Sequence, residues 1–163
     1  NTAAPATEHL KLNTNDSTAD SDAYWNDTAP TSSVFSIGIN GGVNDGDQPI
    51  IGYLWAGVEG FSRFGSYTGN GNADGPAYLM IKRTDSSGEW QLFDNQRDKI
   101  NSNNARLWAD LNSAETSNSE GLTDFLSNGF KLRASLPAAY NASGGTFIFA
   151  AFAETPFKTA NAR

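Results

Sequence analysis

A Ser-His-Asp relay in this sequence would have to run through His9, its single histidine. No nucleophile motif accompanies that residue, and it stands near the start of the chain. Glu59 and Glu154 follow two apolar runs of similar pattern, and paired carboxylates can hydrolyse glycosidic bonds. A Glu just past a strand also serves as a turn or edge residue, hydrogen-bonded to backbone N–H groups, and that reading is preferred here. Hard oxygen ligands for calcium occur at Asn13-Thr14-Asn15-Asp16 and Asn44-Asp45-Gly46-Asp47. Neither has the spaced acids and terminal Glu of an EF-hand loop, and Asn, Asp and Gly make turns without a metal. The sequence therefore offers no catalytic residues, no metal site and no cofactor.

Sugar binding is the sharper chemistry. The C–H face of a sugar stacks on an aromatic ring, while its hydroxyls need amide or carboxylate partners. Trp25 has Tyr24 before it and Asn26 and Asp27 after it. Trp90 stands beside Glu89 and near Asp94. Trp108 precedes Asp110 and Asn112, and Tyr67 opens a Gly/Asn-rich stretch. The candidate carbohydrate ligands are therefore Trp25, Asn26, Asp27, Tyr67, Trp90 and Trp108. Each of these tryptophans is more often a half-buried structural anchor than a ligand platform. Trp55 lies inside an apolar run and is assigned to the core.

The elements that must position these residues read as short strands. Val34–Ile37, Ile50–Ala56, Ala77–Arg83, Glu89–Asp94, Phe130–Arg133 and Thr146–Ala153 are apolar or alternating runs. Ile50–Ala56 is continuous enough for a strand buried on both faces. Residues 77–94 form a hairpin with Gly88 late in its loop. Ser119–Leu126 is the best helical stretch, one turn at most, weakened by Gly121. Long polar loops cover Asn13–Asp27 and Asn112–Glu120. Residues 69–75 form a Gly/Asn-rich loop.

Two stretches repeat a pattern, residues 10–61 and 107–157. Each has a short strand, a polar loop, a strand, a Gly-containing turn, and an apolar strand ending in Ala, Glu and Phe. Residues 1–163 thus read as one all-β domain, an antiparallel β-sandwich of jelly-roll or lectin-like type. It has long polar loops, an internal strand-unit repeat, and the hairpin 77–94 between the units.

The net charge is −7, from 18 acidic and 11 basic side chains. Such a surface repels phosphate backbones and anionic membranes, so neither nucleic acid nor membrane insertion is expected. No cysteine is present, which excludes disulfides, thiol nucleophiles and thiolate metal sites. No run approaches a bilayer span. Asn1–Thr14 lacks the apolar run of a signal peptide, and the chain opens on Asn1 rather than Met, as a processed product or fragment would. Asn-x-Ser/Thr triplets at Asn15, Asn26 and Asn141 would bear glycans only in a secreted eukaryotic protein.

Several segments resemble a domain of tail-fibre-like and other structural proteins of tailed bacteriophages. They are Ala23–Ser36, Phe61–Pro76, Leu79–Trp90, Leu126–Arg133 and Phe149–Lys158. The sequence departs from that pattern at Pro76, which passes straight to Ala77 where the resembled proteins carry a short aromatic strand. The resemblance implies a β-sandwich on the virion surface, in tail or capsid, and the lone histidine and absent cysteines point to a role without enzymatic activity. The resemblance also implies other virion proteins as partners and a homo-oligomer, with the trimer favoured by virion symmetry. A tail-fibre or receptor-binding domain leads this reading. A capsid decoration protein and a lectin-like module contacting a host surface glycan are its alternatives, and a glycan-cleaving enzyme comes last. Pro156–Arg163 would reach neighbouring subunits.

Overall fold

In a computed structural model, the described residues are 7–68, 74–75, 78–117, 122–126, 129–133 and 138–154. The fold is all-β and sandwich-like, as the short alternating runs predict. The strands are β1 (Glu8–His9), β2 (Ala19–Asp20), β3 (Ser62–Thr68), β4 (Asp74–Gly75), β5 (Tyr78–Arg83) and β6 (Gln91–Asp94). They continue with β7 (Ala105–Trp108), β8 (Thr116–Ser117), β9 (Thr123–Leu126), β10 (Gly129–Leu132) and β11 (Thr146–Phe152). Single helical turns are α1 (Asp22–Trp25) and α2 (Ala138–Asn141).

The main sheet has the order β3-β11-β5-β6-β7-β8, and a smaller one β4-β10-β9; β1 and β2 pair separately. The ladders are antiparallel. β11 is the hub. It pairs with β3 from Thr146↔Thr68 to Phe152↔Ser62, and with β5 from Phe147↔Arg83 to Phe152↔Tyr78. Its seven residues are apolar after Thr146, so it can be covered on both sides by strands and on both faces by side chains.

Strand alternation decides which residues meet. Leu79 and Ile81 of β5, Phe93 of β6, and Phe147 and Ala151 of β11 project from one face of the main sheet. They pack against Phe130 and Leu132 of the small sheet, Leu122 just before β9, and Tyr140 of α2. Asn103 ties the two sheets together. Its backbone N–H donates to Thr123 O at 2.7 Å, and its side-chain amide donates to Asp94 O and Asp98 O at 2.7 and 3.0 Å.

The hairpin expected at residues 77–94 is present as β5 and β6, with Met80 opposite Leu92. Its loop is clasped by charge. Arg83 donates from Nε and Nη2 to the two Asp85 oxygens at 3.0 and 2.9 Å, and Thr146 N–H donates to Asp85 Oδ1. The guanidinium hydrogen bond, reinforced by that backbone N–H, holds the Asp85 carboxyl down at about 2. A depressed carboxyl stabilises the fold fully above the ordinary value of 3.8, and the contribution is lost as pH falls toward 2. Asp85→Asn is therefore expected to flatten the fall in Tm between about pH 4 and pH 2. Thermal melts of both proteins across that range check this, and parallel curves would remove the clasp from the acid response.

Four expectations need correction. Val34–Ile37 and Ile50–Ala56 are not strands, and both runs are exposed. Trp55, assigned to the core, is 66% exposed. The helical turn expected at 119–126 is strand β9 over Thr123–Leu126, because pairing with β10 supplies partners that one helical turn cannot; residues 119–121 lie outside the described residues. The two repeated stretches do not take up the same structure, since 146–152 is the hub strand and its counterpart 50–56 pairs with nothing among the described residues. The Pro76–Ala77 junction, residues 69–73 of the Gly/Asn-rich loop, and Pro156–Arg163 lie outside the described residues. Of that loop, Asp74 and Gly75 form β4.

Candidate functional surface

The candidate sugar ligands do not converge. Tyr67 faces the core, stacked on Phe147 with ring centroids 4.9 Å apart, and its hydroxyl donates to Tyr140 O at 2.6 Å. Burial pushes its phenol far above the ordinary range. Trp90 is 8% exposed and its indole N–H donates to Lys11 O at 3.0 Å. Neither ring presents a free face to a sugar, so both are structural anchors, and the ligand role expected of them is corrected. Sequence alone did not separate the cases, because each ring has polar neighbours in the chain whatever its fold partners are.

Trp108 ends β7 next to Trp90, half-buried, with the Arg106 guanidinium 5.0 Å from its ring centroid. Asp110 Oδ1 accepts the Trp90 backbone N–H at 3.1 Å and so fixes this corner. Trp25 closes α1, half-buried. Asn26 and Asp27 follow it in left-handed backbone conformations, φ 52° and 46°, and both are exposed. Asn26 N–H caps the turn on Asp22 O at 2.7 Å. The three residues are consecutive at the end of this turn, and no aromatic contact or hydrogen bond among the described residues joins them to Trp90 or Trp108.

Glu154 and His9 make structural contacts, and Glu59 makes none among the described residues. Glu154 accepts from Asn95 Nδ2 and Gln96 Nε2 at 3.0 and 3.1 Å, so it ties down the turn after β6 through side-chain amides rather than backbone N–H groups. Glu59 is exposed in the turn before β3. His9 stacks on Tyr24 at 3.7 Å. Asn44 donates to Gly38 O at 2.8 Å, a turn bond. No group of three or more His, Cys, Asp or Glu arranged to hold a metal occurs among the described residues.

The surface that stands out is one the sequence reading placed inside. Residues 34–64 carry twelve of the sixteen large apolar side chains exposed in the described structure. Both ends of this arm are fixed. At its start, Gly38 N–H donates to Tyr24 O at 2.7 Å and Asn40 N–H to Ala23 O at 2.8 Å. The chains approach so closely that a Cβ on Gly38 would lie 2.3 Å from Ala23 O, so the position needs glycine. At its end, Val58 and Ser62 exchange backbone hydrogen bonds across a turn in which Gly60 has φ 76°.

Between these feet, residues 49–55 donate and accept no backbone hydrogen bond among the described residues. Tyr53 and Trp55 stack with centroids 6.1 Å apart while 74% and 66% exposed. At the foot, Phe61 and Phe64 meet Phe152 edge-on. The sequence signal for this surface was the apolar run itself. Its β pattern and hydrophobicity suit a paired strand, and no strand pairs with it among the described residues.

No helix among the described residues is long and apolar enough to cross a membrane. No curated protein and no solved structure matches the chain. One family model does, a domain of unknown function, DUF7483, over residues 1–156. With nearly its full length matched, the chain belongs to the DUF7483 family.

Proposed function

We propose that this domain is a non-enzymatic structural protein of a bacteriophage virion, a tail-fibre or receptor-binding module that works as a homo-oligomer, with the trimer favoured. The observation that carries the reading is the exposed apolar arm. A typical monomer's largest apolar patch is roughly 300–600 Å². Between Val34 and Phe64 twelve large apolar side chains are exposed, seven of them by more than half, which is the kind of surface an assembly covers. Such an arm is costly to leave in water and becomes favourable when buried by an assembly. The acidic charge of −7 keeps the rest of the surface from associating indiscriminately. The similarity of Phe61–Pro76 and Leu79–Trp90 to phage tail-fibre-like proteins supplies the virion context.

Light scattering on the purified protein tests the assembly. At about 50 μM the expected mass is three times the 17.4 kDa of one chain. A mass of 17.4 kDa at that concentration would overturn the reading.

A further inference from the structure

We infer that the apolar run Ile50–Ala56 adds as a strand to the free outer edge of β3 in a second copy of this chain. The inference rests on the oligomeric reading above and specifies its contact.

β3 is an edge strand. It pairs with β11 on one side and with no named strand on the other among the described residues. A strand residue directs its N–H and C=O to the same side, and successive residues alternate. Ser62 exchanges both bonds with Val58 on the outer side. Phe64, Ser66 and Thr68 therefore direct N–H and C=O groups along that edge that find no backbone partner among the described residues. An open edge is a template for another strand, and strand addition is a common recognition mode. The donor segment has seven residues, as β3 does, and from Ile50 to Trp55 its backbone makes no backbone hydrogen bond among the described residues.

The same chain does not close this pairing on itself, although the Val58–Ser62 bridge would be its first rung. The next hydrogen-bonded rung would join Ala56 to Phe64. The Ser62 hydroxyl instead donates to Ala56 O at 3.0 Å and accepts from Val58 N–H at 3.1 Å. That hydroxyl takes up the carbonyl the next rung needs, and the arm leaves the edge there.

Two further observations select a second copy as the occupant. Gln48–Val58 has no charged residue and β3 has only Arg63, so the contact avoids the like-charge repulsion that a −7 chain meets elsewhere. The exposed apolar groups of the arm amount to on the order of 1,000 Å², above the roughly 800 Å² per partner of a standard interface. Donor and acceptor are different surfaces, so the contact passes head to tail from copy to copy, and a rotation of about 120° per copy would close it as a trimeric ring.

Complementation tests this directly. Leu54→Pro blocks the donor in a segment without backbone hydrogen bonds. Ser66→Pro removes an outer-edge N–H while sparing the ladder to β11, and Phe64→Pro does the same should Ser66→Pro fail to fold. Each variant alone is expected to run as a monomer in light scattering. An equimolar mixture is expected to give a two-chain complex, because one copy keeps a good edge and the other a good arm. Leu54→Pro remaining fully oligomeric would overturn the inference and leave the oligomeric reading intact. Monomeric variants that fail to complement would place the pairing within one chain and also overturn it. A monomeric wild type would overturn both.

Discussion

Replacing Phe147 by alanine is expected to lower the unfolding free energy by about 3–5 kcal/mol, a large part of the roughly 5–15 kcal/mol that holds a domain of this kind together. Phe147 is fully buried in β11, between Tyr67 of β3 and Arg83 of β5 in the ladder. Its ring stacks on Tyr67 with an interplanar angle of 10°, and the Arg83 guanidinium lies 5.9 Å from its centroid. Truncation leaves a cavity where the main sheet meets the small sheet. It also withdraws the surface that holds Tyr67, whose hydroxyl reaches Tyr140 O of α2. Three elements lose a shared contact, so the cost falls at the upper part of the range for an aromatic truncation. Phe147→Leu keeps most of the volume and should cost about 1–2 kcal/mol. Urea unfolding followed by tryptophan fluorescence measures both. A loss below about 1 kcal/mol for the alanine variant would show that the sheets are joined elsewhere.

Legibility from sequence divides along the same physical line. The hairpin of β5 and β6 and the hub strand β11 are short-range or strongly patterned. Their apolar alternation and turn residues dictate a strand whatever surrounds them, and both appear where expected. Residues 50–56 carry the same signal and are not a strand, because a β pattern states only that a segment wants partners on its edges and faces. It does not say that the same chain provides them. The placing of Trp55 in the core and the candidacy of Trp90 as a sugar ligand have this common origin. Trp55 has apolar neighbours in sequence and solvent in space, whereas Trp90 has polar neighbours in sequence and Lys11 and Asp110 in space.

Lys82→Met is expected to cost about 2–4 kcal/mol, through a mechanism opposite to that of Phe147. Lys82 alternates with Ile81 on β5 and so points to the other face of the main sheet, yet it is fully buried. Its ammonium donates to three backbone carbonyls, Asn15 O at 3.3 Å, Asp16 O at 2.5 Å and Arg83 O at 2.9 Å. The segment before α1 crosses this end of the sheet, held also by Thr18 N–H on Thr84 O at 3.1 Å and Gly88 N–H on Asn15 O at 2.8 Å. Methionine keeps the apolar volume of the stem but leaves the carbonyls without their cation, so the loss reads the hydrogen bonds rather than the packing. Protease cleavage within residues 11–18 should rise in the variant before global unfolding does. Desolvation draws the ammonium below its ordinary 10.5, with Asp110, Asp16 and Glu89 opposing that shift in part. The unfolded chain then binds the proton more tightly than the folded one, so the lysine's contribution to stability rises with pH toward 10.5. The difference in unfolding free energy between wild type and Lys82→Met should therefore widen as pH rises from 8 toward about 10. A difference that narrows over that interval would mean that the buried ammonium is held more strongly by its three carbonyls than desolvation opposes it.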